Sequence, residues 1–405
     1  MNFSLYTIYN LLITAILFVL FLICLWNLYI LRKKSYTKIP DSSLPFVSVL
    51  IPARNEEVNI NKILPSVLEQ EYPGYEVIVL NDNSDDRTGE IIEQIKKKYP
   101  QLKVINGKPL EEGWTGKCFA CKQLYEESKG DYLLFTDADT VHRPNSLRDS
   151  VTIALNTNAD MLTLFPKMTM ISLAEKIIMP MFFFVVMLLL PLYFVEKKGF
   201  VNFSIGMGPF IMFKRKAYDK IGTHEAVKNA IVEDIWLARK IKKHGLKLTA
   251  ADGMSMVSVR MYSSFKEIWE GLSKNMFAAF KFSSPMLLTV NVIFVLLFFF
   301  PFILLPLELS LQFTLSEEVI LTLIQVLILY LVRFSLSYRF KLGFISSILH
   351  PLGAVSIAFI AFNSWRWIKF GGGSKWKGRV YKPDCSIAWR GGSQAGIILL
   401  NEKVF

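Results

Sequence analysis

The feature that most constrains this chain is an unbroken apolar run over residues 8–31, closed at once by Arg32-Lys33-Lys34. About 20 apolar residues in a helix span the ~30 Å hydrocarbon core of a bilayer, so this run reads as a membrane anchor. A signal peptide is the alternative, but the basic n-region and the small-residue cleavage site are missing. Basic residues favour the cytoplasmic side, which places the N-terminus outside and the chain that follows in the cytoplasm. Further apolar runs occupy residues 286–307, 319–332 with their flanks, and 344–362. Glu317-Glu318 mark the first connection as external, and Arg333, Arg339 and Lys341 mark the next as cytosolic. The composition agrees with a multi-pass protein of the cell membrane, being 52% hydrophobic with 32 Phe in 405 residues. The expected division is an anchor at 1–35, a catalytic domain at 45–275, C-terminal transmembrane helices at 286–365 and a basic tail at 366–405.

The stretch between the apolar runs has a different character. Phe46-Val47-Ser48-Val49-Leu50-Ile51-Pro52 reads as a buried strand that ends in Ala53-Arg54-Asn55-Glu56-Glu57. Glu76-Val77-Ile78-Val79-Leu80 reads as a second strand, ending in Asn81-Asp82-Asn83-Ser84-Asp85-Asp86. Between them, Ile60, Ile63, Leu64, Val67 and Leu68 recur at helical spacing. A third apolar run, Tyr132-Leu133-Leu134-Phe135-Thr136, ends in Asp137-Ala138-Asp139. Alternating strands and helices predict an α/β fold with a parallel sheet, which binds ligands beyond the carboxyl ends of its strands. All three polar clusters fall there. Residues two apart on an extended strand share a face, so Asp137 and Asp139 can converge on one cation. Oxygen ligands without nearby His or thiolate suit Mg or Mn, which commonly share their coordination with substrate phosphates.

Taken together, Val47 to Glu57, Asn81 to Asp86, Asp137-Ala138-Asp139 and Val232-Glu233-Asp234 resemble a family 2 glycosyltransferase with the Rossmann-like GT-A fold. Gly113-Trp114-Thr115-Gly116-Lys117 and the tail Trp376-Lys377-Gly378-Arg379-Val380-Tyr381 narrow the resemblance to membrane-bound bacterial enzymes acting on lipids. That branch includes hopanoid-associated and carotenoid (diaponeurosporenoate) glycosyltransferases. The resemblance implies a nucleotide-sugar donor, UDP-linked, held by Pro52, Arg54, Glu56, Asp82, Lys117 and Asp137. It further implies a metal at Asp137 and Asp139, a general base at Asp234 and inversion in one displacement onto a lipid acceptor. Asp234 also stands where a helical pattern begins, and an acid there is stabilised by the helix dipole whatever its catalytic role. Processive polysaccharide synthases share the donor site but carry Gln-X-X-Arg-Trp after the base. The comparable stretch, Phe265 to Asn275, has Trp269 and no such motif, which favours single-sugar transfer over polymer extension.

The formal charge of +12 fits attraction to anionic headgroups, since the basic residues flank membrane segments and no DNA- or RNA-recognition motif is apparent. Nucleic acid is thus not an expected partner. Cys118 and Cys121 lack the second pair that a structural zinc site needs and read as helix packing. Two segments pose topological questions. Residues 177–195 are apolar enough to cross, yet a single crossing would put Asp137 and Asp139 opposite Asp234. They are therefore expected to lie in the cytosolic leaflet, broken at Pro180 and Pro191, with Phe and Leu facing lipid. Residues 344–362 either cross, leaving the basic tail outside, or re-enter at His350-Pro351-Leu352-Gly353.

Overall fold

The computed structural model describes residues 4–32, 36–280, 282–311 and 316–371, and the backbone of three short strands, Ser374–Trp376, Arg379–Pro383 and Ile397–Leu399. Two compact units divide the chain. One is helical and comprises Met1–Ile30, Met170–Pro191 and Tyr262–Ser374; the other carries the sheet and comprises Leu31–Thr169, Leu192–Met261 and Lys375–Phe405.

The sheet unit is built on eight strands: β1 (Val47–Ala53), β2 (Tyr75–Asn81), β3 (Lys103–Asn106), β4 (Tyr132–Phe135), β5 (Thr140–His142), β6 (Met161–Met168), β7 (Ile211–Lys214) and β8 (Leu248–Val259). Their order is β3-β2-β1-β4-β7-β6-β8-β5. The first four are mutually parallel, as the βα alternation predicts. Beyond β4 the sheet turns mixed, because β7 runs antiparallel to both β4 and β6. Apart from Ser48, strand β1 is apolar because both its faces are covered: Val49, Leu50 and Ile51 are all buried. Ile60, Ile63, Leu64, Val67 and Leu68 of the Ile60–Leu68 helix are buried as their spacing predicts, and all five belong to the core cluster that holds Val47, Val49 and Ile51. The register pairs Ala53 with Asn81 and Leu50 with Phe135, so the carboxyl ends of β2, β1 and β4 lie side by side.

One local expectation is corrected. Asp137 and Asp139 are not on an extended strand: β4 stops at Phe135, and the Thr140 amide donates to the Asp137 carbonyl at 3.1 Å. The two carboxylates sit in a tight turn between β4 and β5, which frees their directions from the pleat.

In the helical unit, two helices among the described residues are long and apolar enough to cross a bilayer, Leu5–Ile30 and Glu317–Phe340. They are joined by polar contacts: Gln325 Nε2 donates to the backbone and side-chain oxygens of Asn10, each at 3.2 Å. Such buried amides specify helix partners where hydrophobicity cannot. The apolar run 286–307 is split into Ser284–Phe298 and Pro301–Leu311, with proline opening the second helix. Residues 344–362 are split at Leu349, and Pro351 sits in the first turn of His350–Phe370, where its missing N–H leaves no bond unmade. Residues 177–195 form parts of three short helices, Leu173–Ile178, Pro180–Leu189 and Leu192–Glu196, with breaks before Pro180 and Pro191. Ten residues reach only about 15 Å, half of a bilayer core. For Phe183 and Phe184 the expected lipid-facing role is corrected: Phe183 stacks on Phe340 at 4.1 Å and Phe184 meets Phe298 and His350, all inside the helical unit.

Candidate active site

Two polar clusters form at the strand ends. The first joins the loop after β1 to the loop after β2. Arg54 donates from one guanidinium nitrogen to the carbonyls of Asp82 (2.7 Å) and Asn83 (2.6 Å) and from another to Asp85 Oδ2 (3.1 Å). The Glu56 amide donates to Thr88 Oγ1 at 2.7 Å, and its carboxylate accepts from Asn59 Nδ2 at 2.9 Å. Asn55 and Asn83 both take positive φ, 51° and 50°, a region that asparagine tolerates better than most residues. Asp82 is buried at 5% exposure. Arg54, Glu56 and Asp82 therefore act as one unit, which braces two loops at the carboxyl edge.

The second cluster gathers around Lys117. The turn at Gly113 (φ 78°) leads into the Gly116–Glu126 helix, where Thr115 Oγ1 caps the Cys118 amide at 3.4 Å. Lys117, in the first turn, is not a surface charge. Its ammonium lies 2.5 Å from Asp137 Oδ1 and 2.7 Å from Glu233 Oε1, with the lysine side chain 26% exposed. One cation thus joins the turn after β4 to the acidic pair that opens the Glu233–Lys243 helix. Burial alone would lower the Lys117 pKa, but the Asp137 and Glu233 carboxylates hold it well above the ordinary lysine value.

Asp234 is the electrostatic counterpart. Burial first, then the negative charge of Glu233, push its carboxyl up to about 7, against the opposing pull of Lys117 and of the Ile235 amide, which donates to Oδ1 at 2.8 Å. Asp137 adds to the upward shift. A carboxyl poised near neutrality, beside a cleft and with named charge partners, is suited to general-base work. The cleft is lined by Pro52, Lys117, Asp137, Gly208, His224 and Glu233, among others. Burial drives His224 down to about 3, so its ring is neutral and paired with Tyr218 Oη at 2.5 Å.

The structure brings Pro52, Lys117 and Asp137 into one cleft and sets Asp234 beside it, while Arg54, Glu56 and Asp82 form the neighbouring loop cluster. Asp139 is half-buried, with Oδ1 accepting from Thr140 Oγ1 at 3.3 Å. Three participants have no counterpart among the sequence-derived site residues: Glu233, Gly206 and Gly208. A Cβ on Gly208 would stand 2.6 Å from Asp137 Oδ2, and one on Gly206 would stand 2.3 Å from the Asp234 carbonyl oxygen. The Gly206-Met207-Gly208 pattern was the available signal, since paired glycines before a strand mark close backbone approach. Among the described residues no group of three His, Cys, Asp or Glu side chains is placed to hold a metal. Two carboxylates in one turn nevertheless fit a hard cation that takes one or two protein ligands and completes its shell with phosphate oxygens and water.

Residues 48–222 match the family model of glycosyl transferase family 2. They form a family 2 glycosyltransferase domain. Among curated proteins, the glycosyltransferase is 25% identical over 356 residues to 4,4'-diaponeurosporenoate glycosyltransferase of Staphylococcus aureus (strain N315), covering 86% of this chain and 92% of that one. It is 46% identical over 98 residues, 24% of this chain and 23% of the other, to the probable glycosyltransferase YdaM of Bacillus subtilis (strain 168). Among solved structures, it resembles the mannosyltransferase PcManGT of Pyrobaculum calidifontis in complex with GDP-Man and Mn2+, with TM-score 0.56 and 16% identity over 90% of this chain and all of that one. That likeness establishes the GT-A-like fold. Folds of this kind bind their ligands beyond the carboxyl ends of the strands, where both polar clusters lie.

Proposed function

We propose that this membrane glycosyltransferase transfers a single sugar from a UDP-linked donor to a lipid acceptor of the carotenoid or isoprenoid type, with metal assistance and inversion at the anomeric carbon. The observation that carries this reading is the Lys117 bridge, which joins Asp137 and Glu233 and so gathers the two acidic motifs of the chain around one cleft. The Arg54, Glu56 and Asp82 loops, with Pro52, take the nucleoside. Asp137 and Asp139 hold Mg or Mn, which supplies charge neutralisation to the departing diphosphate when bound. Lys117 adds a second positive charge on the leaving-group side.

Asp234 takes the proton from an acceptor hydroxyl as that oxygen attacks the anomeric carbon and the bond to the diphosphate breaks. With a carboxylate acceptor, as the name of the Staphylococcus aureus relative specifies for that enzyme, no proton has to be removed and Asp234 positions the nucleophile instead. Two candidate spanning helices and the lipid-type acceptor of that relative support a membrane location, with the catalytic unit in the cytoplasm. A processive synthase is the competing reading. Mass spectrometry of polar lipids and pigments from cells with and without the gene separates them. Gene-dependent lipids carrying one added sugar are expected, whereas a gene-dependent polymer would overturn the proposal.

A further inference from the structure

Resting on the metal reading above, one arrangement in the cleft carries an order of events. Asp137 has two carboxylate oxygens, and the protein's own cation is bound to one of them. Oδ1 accepts from the Lys117 ammonium at 2.5 Å, while Gly208 leaves beside Oδ2 a space that a Cβ, 2.6 Å away, would fill. The same ammonium is held from the other side by Glu233 Oε1 at 2.7 Å, so it is anchored at the site rather than passing through it. A divalent cation approaching Asp137 in the nucleotide-free protein therefore meets a carboxylate already neutralised, beside a like charge in a partly desolvated cleft.

A nucleoside diphosphate changes that balance. Its phosphate oxygens are acceptors for the Lys117 ammonium and ligands for the metal at once, so the lysine can leave Asp137 for phosphate as the metal takes its place. We propose that Lys117 is an internal counter-cation that holds the metal site closed until a nucleoside diphosphate arrives, so that metal and nucleotide enter together. Lys117 is in this sense a positioning residue with two partners, the carboxylate before donor binding and the diphosphate after it.

The test is Mn2+ titration of the full-length chain in lipid nanodiscs, read by the loss of the free Mn2+ electron-paramagnetic-resonance signal, with and without UDP. Lys117→Met removes the competing charge and is expected to bind Mn2+ without nucleotide at least ~10-fold more tightly than wild type, while with UDP it binds Mn2+ at least ~10-fold less tightly. Unchanged or weaker nucleotide-free affinity in Lys117→Met overturns the proposal. Should that variant fail to fold, Glu233→Gln decides: it leaves the ammonium to Asp137 alone, so nucleotide-free affinity must fall, and a rise overturns the idea. If wild type takes up no Mn2+ even with UDP, the metal reading itself falls and this inference with it. That result is distinct from gating alone failing, in which wild type binds Mn2+ with UDP and the variants show no opposing shifts.

Discussion

Lys117 in the sheet unit and Arg333 in the helical unit are both cations withdrawn from water, and they are held in opposite ways. Lys117 faces two carboxylates and remains a quarter exposed. Arg333 is fully buried, donates to the carbonyls of Pro180 (3.3 Å) and Ser346 (2.5 Å), and lies over the Phe184 ring at 5.8 Å. Among the described residues no carboxylate lies within ion-pair distance of it. Charge partners can be exchanged for a ligand's charges, whereas carbonyls belong to the backbone and cannot be given away without unmaking the helices. On the proposed function Lys117 serves the chemistry, while Arg333 holds the backbone at Pro180 and Ser346 together.

The largest effect that sharpens this contrast is expected at Asp139. Asp139→Asn should reduce transfer to below ~1% of wild type by weakening the hold on a hard cation. Measured transfer and Mn2+ uptake with UDP should fall together, and activity persisting in excess chelator would break the account. Next comes Gly208→Ala. The added Cβ forces Asp137 or the lysine to shift by tenths of an ångström, and turnover should drop about 10-fold with the fold intact by circular dichroism, since small misplacements at reacting groups are amplified. The smallest effect is expected at Arg333→Met. Arg333→Met leaves the Pro180 and Ser346 carbonyls without their donor, so the melting midpoint should fall while transfer stays within ~3-fold of wild type. A loss of transfer beyond ~10-fold with an unchanged melting profile would mean that Arg333 also serves the reaction.

What could be read from the residues follows the same division. In the sheet unit, β1 and the Ile60–Leu68 helix were legible because apolar spacing there answers to one core. The three polar clusters at strand ends were legible for the same reason. The Lys117 to Glu233 pair was not, because it joins residues far apart in sequence whose approach depends on Gly206 and Gly208 leaving room. The turn at Asp137 was missed because an apolar strand carries no mark of the residue at which pairing stops. In the helical unit, Pro180 and Pro191 announced their breaks, but hydropathy assigns Phe183 the same value against lipid as against Phe340, so its destination stayed hidden.

The central claim is that Asp234 and the Asp137 motif serve one substrate in one cleft, and Asp234→Asn tests it most directly. Single-turnover transfer from a UDP-linked donor to a hydroxyl acceptor, followed from pH 5 to 9, should show the wild-type rate rising as the carboxyl near 7 loses its proton and levelling above it. Asp234→Asn should keep UDP and Mn2+ binding, lose the pH dependence and fall at least ~100-fold at the plateau, the lower range for a positioned base. Unchanged turnover on a hydroxyl acceptor, with the same pH profile as wild type, would contradict the account.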